Sequence, residues 1–397
     1  MSIVFPHEPL EAPASAGMEA ARLERALALF REQQARGAFP GGQLVVRRGG
    51  RCVANLAVGL ARGFRREEPR AAVTPETRFN VFSASKPLVA LAIARLEEAR
   101  QVELAAPVAR YFPEFAAHGK GAITLLDVLT HRGGVLLPGF IHSWERWADW
   151  DAVVDALVRA VPRYPRGTLA YHPNEFGWIL AEVVRRVTGE PLPSFCEREL
   201  LAPAGLAGMS FQGSTADASR VARSYWVGSR AVRVHEVDVS VQLETSYNSP
   251  KVLTAFVPGA SLWTDAAHLA ALYEVLVRGG VTRSGQRLFA ESTVRAYTAR
   301  AVFGVDRSNR LPLCVGRGFL VGAPWPSFYG AWATSACFGH AGAFCTLGFG
   351  DHATGLAVGI VTNGNAGPGD FLRRFRPLIS TLRRACVRPV ESPSLNP

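Results

Sequence analysis

A chain of 397 residues, 48% hydrophobic and 19% charged, can bury a large core and is too mixed in composition to be disordered or fibrous. Its formal charge of +11 comes from arginines spread along the chain without a recognition motif, which sets nucleic acid aside as a partner. No apolar run approaches the roughly 20 residues of a membrane span, and Met1 to Gly17 has acidic residues and prolines where a signal core would be apolar, so a cytoplasmic protein is expected.

In chain order, residues 1–18 read as an irregular tail. Glu19 to Arg36 is helical by period, with Leu23, Ala26, Leu27 and Phe30 on one stripe and Gly37 ending it. Gln43 to Arg48 and Cys52 to Leu60 read as strands about a Gly49-Gly50 turn. An arginine-rich loop follows; Arg62, Arg65, Arg66 and Arg70 read as a solvated face. From Pro87 to about Tyr225 the texture is helical, with a capped helix over Ile123 to Thr130 and amphipathic helices over Phe176 to Thr188 and Pro191 to Leu201. Trp144, Trp147 and Trp150, three apart, predict an aromatic ridge on one helix: core packing or the wall of an acyl pocket. Beyond residue 250 come a helix over Asp265 to Arg278, a strand over Gly316 to Val321, an aromatic loop (Trp325, Phe328, Tyr329, Trp332), strands over Phe344 to Phe349 and Leu356 to Thr362, and a basic helix over Phe371 to Arg384.

Strand chemistry therefore lies at both ends of the chain and helices lie between. The expected fold class is α+β: an antiparallel sheet flanked by the N- and C-terminal helices, with an inserted helical lobe. The expected division is a discontinuous α/β lobe (19–84 and 252–388), a mainly helical lobe (85–251) and an irregular tail at 389–397.

Six scattered cysteines with no Cys-x-x-Cys read as free buried thiols, and no histidines have metal-ligand spacing, so neither a metal nor a cofactor is expected. The chemistry concentrates in Val81-Phe-Ser-Ala-Ser-Lys-Pro87. Ser83 and Lys86 fall on one face of a first helical turn, within reach of each other and beside free backbone N–H groups. Lys86 is one of only three lysines among 44 Lys+Arg. An ammonium, unlike a guanidinium, can lose its proton when desolvated, so a lysine here points to proton transfer. The plain alternative is an N-cap serine and an exposed lysine.

Tyr171-His172-Pro173 and Gly339-His340-Ala341-Gly342-Ala343 complete a pattern of Ser-x-x-Lys, then Tyr, then His-x-Gly. This order resembles the serine β-lactamase and penicillin-binding-protein superfamily, and within it the class C β-lactamase-related (family VIII) esterases, over about residues 19–385. The resemblance implies a β-lactamase-like fold, with Ser83 as nucleophile and Lys86 and Tyr171 sharing its proton. Which of the two is the base stays open, and a tyrosinate beside the lysine is one arrangement. The oxyanion hole would be the backbone N–H groups of Ser83 and Ala343. His340 and Gly342 would face the substrate, with His172, Asn174, Trp144, Trp147 and Tyr225 near the cleft.

Two departures bear on the substrate. Pro173 stands where the family commonly has Asn, with Asn174 one residue later, and His340-Ala-Gly342 replaces Lys-Thr-Gly. A largely neutral histidine grips a carboxylate less well than a lysine. Both lean toward a small neutral ester cleaved through an acyl-enzyme. An acyltransferase, a β-lactamase or DD-peptidase, and a non-catalytic acyl-binding or sensor protein are the rivals.

Overall fold

Gly49 and Gly50 both sit at positive φ, 61° and 80°, the backbone a tight reversal needs and a side chain resists. They join β1 (Gly41–Arg48) to β2 (Arg51–Arg62), with Arg48 opposite Arg51. The computed structural model describes residues 8–137, 144–211, 221–228, 233–234, 237–238, 244–324, 327–367 and 369–387, with the backbone alone at 144–145, 233–234 and 237–238. Among these, seven more strands join the same sheet: β3 (Ala71–Ala72), β4 (Val302–Val305), β5 (Pro312–Val315), β6 (Leu320–Val321), β7 (Cys337–Gly342), β8 (Thr346–Asp351) and β9 (Leu356–Thr362). Their spatial order is β3-β2-β1-β9-β8-β7-β6-β5-β4, every pairing antiparallel. The pairing of β1 with β9 welds the two ends of the chain, Val45 facing Gly359.

One sheet face is covered by α1 (Ala20–Ala35), whose Leu23, Ala26 and Phe30 form a buried stripe. The other helices that matter here are α2 (Lys86–Glu98), α3 (Trp150–Arg159), α4 (Glu175–Thr188), α5 (Ala266–Val277) and α6 (Asp370–Ala385). α6 packs beside α1, putting Phe375, Leu378, Ile379 and Leu382 into one core with Val46, Leu347, Val358 and Ile360. α5 covers the opposite face and shares a second core with α2, α4, Phe338 and Val361. The antiparallel sheet flanked by the two terminal helices, which pack together on one face, with helices inserted in the chain, is the expected fold.

Several local expectations change. Gly316 to Val321 is not one strand: β5 ends at Val315 and β6 begins at Leu320, while β4 was not foreseen. Phe344 and Cys345 form a turn at positive φ instead of starting a strand. The N-terminal segment is docked: Glu11 N–H donates to Cys52 O at 2.8 Å, and the buried Glu8 pairs with the buried Arg47. Nor is the basic C-terminal helix wholly solvated, because Arg374 is buried, donating to Thr362 Oγ1 at 2.9 Å and lying over the Phe39 ring. Arg62 and Arg65 likewise find partners, in Val221 O and Glu244. The tail at 389–397 lies outside the described residues. All six cysteines are free thiols, five of them buried. Among the described residues, no helix is long and apolar enough to cross a membrane.

Candidate active site

Ser83 is held in place by a turn that the surrounding backbone bonds enforce. Phe79–Asn80 pairs with Trp263–Thr264, and Val81 N–H donates to Leu262 O at 2.9 Å. Phe82 then takes φ 49°, its N–H donating to Asn80 Oδ1 at 2.9 Å. Ser85 Oγ donates to Phe82 O and accepts from Leu262 N–H. The expected single helix is thus a 3-10 turn, Phe82–Ser85, running directly into α2. A first turn leaves N–H groups without intrahelical carbonyls, and Ser83 sits there, half-buried.

Lys86 is wholly buried. Its Nζ lies 3.2 Å from Ser83 Oγ, 2.6 Å from Pro173 O and 3.1 Å from Gly259 O. Burial lowers the amine from its ordinary value to about 7, against an opposing pull from Glu175. A neutral amine has two hydrogens and one lone pair. With the hydrogens donated to the two carbonyls, which have no proton to give, the lone pair is left for the Ser83 hydroxyl.

Tyr171 approaches the same serine from an extended segment. It lines the cavity beside Ser83, and its ring lies 5.0 Å from Lys86 Nζ. Burial drives the phenol well above its ordinary value, and Asp306 pushes the same way, so the tyrosinate arrangement is not the resting one. Asp306 was not foreseen. Its Oδ1 accepts Tyr171 N–H at 2.9 Å and the Ser308 hydroxyl, while Asn309 Nδ2 donates to Oδ2.

The β7 end closes the third side. A Cβ on Gly342 would stand 2.0 Å from Val81 O, so only glycine lets this strand meet the serine turn. Thr346 Oγ1 also donates to Val81 O, at 2.9 Å. Ala343 follows, exposed to the cavity. His340 is buried and donates from Nδ1 to Ala341 O at 2.6 Å. Burial, then the neighbouring Lys86, lowers it to about 3, so it is a neutral imidazole.

Ser83, Tyr171, His340, Gly342 and Ala343 line a cavity of about 330 Å³. Its remaining wall is mostly apolar: Leu311, Leu313, Leu320, Phe328, Phe371 and Leu372. Among the described residues, no Lys or Arg lines it.

Several expected pocket residues lie elsewhere. His172 is buried behind Tyr171, stacked on His131 with centroids 5.5 Å apart, and burial lowers it to about 4. Asn174 is the buried N-cap residue of α4, its N–H donating to Glu175 Oε2. The tryptophan ridge is not one helix: Trp144–Ala148 is a 3-10 turn, and Asp149 caps α3 after it. Trp147 packs edge-on against Trp178 in the core, and Trp150 donates to Glu182 and stacks on Phe256. The Trp144 side chain and Trp325 lie outside the described residues. Tyr225 donates to Glu68 and is buried away from the cavity lining.

The sequence reading also missed Glu175 and His131. Glu175 is a wholly buried acid accepting from Leu137 and Asn174 N–H groups. His131 holds His172 N–H on its Nδ1 at 3.1 Å. Their only local sign was a charged or polar residue beside an apolar stripe, which many surface residues share. Among the described residues, no group of three or more His, Cys, Asp or Glu could hold a metal ion.

The chain is 28% identical over 374 residues to the Mycobacterium tuberculosis protein named esterase/beta-lactamase LipL, covering 86% of this chain and 79% of the relative. It is 28% identical over 392 residues to esterase EstB of Burkholderia gladioli, covering 90% and 95%. The crystal structure of a family VIII carboxylesterase superposes with a TM-score of 0.75 at 25% identity, over 93% of this chain and 99% of that one. The family model described as Beta-lactamase matches residues 27–382. With that match spanning most of the chain, and a serine and a phenol lining one cavity with a buried amine 3.2 Å behind the serine hydroxyl, this protein belongs to the beta-lactamase family and is a serine hydrolase.

Proposed function

We propose that the protein cleaves neutral carboxylic esters through an acyl-enzyme on Ser83, in the cleft where a discontinuous lobe (19–84 and 252–388) meets a helical lobe (85–251). The observation that carries this reading is the wholly buried Lys86 Nζ, 3.2 Å from Ser83 Oγ. With its proton affinity lowered to about 7, the amine is partly neutral at physiological pH and takes the hydroxyl proton as Oγ attacks the ester carbonyl. The N–H groups of Ser83 and Ala343 stabilise the oxyanion. The Tyr171 phenol, beside Ser83 in the cavity wall, hands a proton to the departing alkoxide and recovers it from Lys86. Water then enters by the reverse relay and releases the acid.

The cavity wall favours a neutral substrate. Among the described residues no cationic side chain lines it to pair with a carboxylate, and the buried Asp306 would repel one. Pro173 offers its carbonyl to Lys86 and has no side-chain amide for a peptide.

The test is a p-nitrophenyl ester series with mass spectrometry of the tryptic peptide containing Ser83. Turnover with an acyl adduct on that serine supports the reading. Stoichiometric labelling without turnover would show an acyl-binding protein, and faster turnover of a chromogenic cephalosporin would show a β-lactamase. Product partition toward an added alcohol would show an acyltransferase.

A further inference from the structure

The strand β4 is one of the two edge strands of the sheet among the described residues. Its two faces differ. Val302 packs partly inward and Gly304 faces Leu169, whereas Phe303 and Val305 point to solvent, 57% and 56% exposed. The turn joining β4 to β5 adds Leu311, 64% exposed, and Pro312 opposite Val305. Arg300, Arg307 and Arg310 bracket this apolar strip, all exposed. The one acid between residues 299 and 313, Asp306, is buried and bonded to Tyr171, Ser308 and Asn309. Within this hairpin the exposed charged side chains are therefore all basic. The strip is also continuous with the site, since Leu311, Pro312 and Leu313 form part of the cavity wall.

We propose that this hairpin docks the protein on an anionic lipid surface, with Phe303, Val305 and Leu311 entering the headgroup–acyl boundary and Arg300, Arg307 and Arg310 pairing with headgroup phosphates. Apolar side chains ringed by arginine are the combination that partitions to such interfaces, through buried apolar area and electrostatic attraction together. A second copy of the chain fits less well. Antiparallel pairing of two β4 edges would set Arg300 of each copy beside Arg307 of the other, a like-charge contact repeated by symmetry. Docking here opens the cavity toward the lipid, where acyl esters concentrate. That last consequence rests on the ester reading; the docking itself does not.

The experiment is co-sedimentation of the full chain with vesicles of phosphatidylcholine containing phosphatidylglycerol, and with phosphatidylcholine alone, at low and high salt. Binding is expected only to the anionic vesicles and should weaken with salt. The Phe303→Asp/Val305→Asp variant should bind at least ~10-fold more weakly. Arg300→Glu/Arg307→Glu should lose a similar factor, since each arginine near an anionic surface is worth about fivefold. Hydrolysis of soluble p-nitrophenyl butyrate should be unchanged in both variants; circular dichroism reports folding even if no ester is turned over. If the aspartate pair fails to fold, the arginine pair decides the matter. Equal binding to both vesicle types, undiminished binding by the variants, or a wild-type dimer that Phe303→Asp/Val305→Asp dissociates would overturn the proposal.

Discussion

The carbonyl oxygen of Pro173 lies 2.6 Å from Lys86 Nζ. The residue whose side chain lacks the family's amide thus still serves the site through its backbone. Together with Gly259 O it takes up both hydrogens of a neutral amine and leaves the lone pair facing Ser83. Replacing Lys86 by Arg keeps the charge and removes the lone pair. Hydrolysis is expected to fall about 10²–10⁴-fold, the range for loss of a general base. Near-wild-type kcat/KM for Lys86→Arg would remove the amine from the mechanism.

The same amine sets a pH profile. A base works only when deprotonated, so kcat/KM should climb as pH rises through about 7 and level off above it. The limb belongs to Lys86 and not to the nearby histidines, because His340 and His172 are lowered to about 3 and about 4 and stay neutral across that range. A rate profile flat between pH 6 and 8 would contradict this assignment.

Tyr171→Phe should cost about 10²-fold in kcat with the fold intact, since only the relay hydroxyl is removed. Asp306 acts through Tyr171 by holding its N–H. Asp306→Ala should therefore lower kcat more than it raises KM for a short ester, and steady-state kinetics on p-nitrophenyl acetate separates the two.

Lys120 shows that a scarce lysine need not be catalytic. Its Nζ is buried and donates to Ala117 O, Val158 O and Ala160 O, at 2.6, 2.9 and 2.5 Å. Three converging carbonyls suit the three hydrogens of an ammonium better than a planar guanidinium. Lys120→Met strands those acceptors and should cost about 3 kcal/mol in urea denaturation, with kcat/KM per folded molecule unchanged.

Acid stability should reflect the buried imidazoles. His172 and His340 bind protons far more weakly folded than unfolded, where the ordinary value is near 6.5. The unfolded chain therefore takes up more protons as pH falls below 6.5, and stability drops across the window from 6.5 toward 4. At pH 5 each contributes a loss of about 2 kcal/mol relative to pH 7. Urea midpoints at the two pH values measure the sum, and His340→Gln should show the smaller drop.

What was legible in the sequence was local. The three-residue spacing of Ser83 and Lys86, the Gly49-Gly50 reversal, the apolar run of β9 and the stripe of α1 follow from patterns that a few neighbouring residues reveal. Trp144, Trp147 and Trp150 show where that stops: their spacing describes a ridge equally well whether it faces a core or a cleft, and Trp147 faces Trp178. Asp306 gave no local sign because its role is to hold a backbone group 135 residues away.

The sequence by itself determined which atoms could meet: a hydroxyl and an amine one turn apart. Only the tertiary structure decided what surrounds the amine. The carbonyls of Pro173 and Gly259, 87 and 173 residues distant in the chain, enclose it and exclude water. Proton affinity is a property of surroundings summed over the whole fold, and no window of residues carries it.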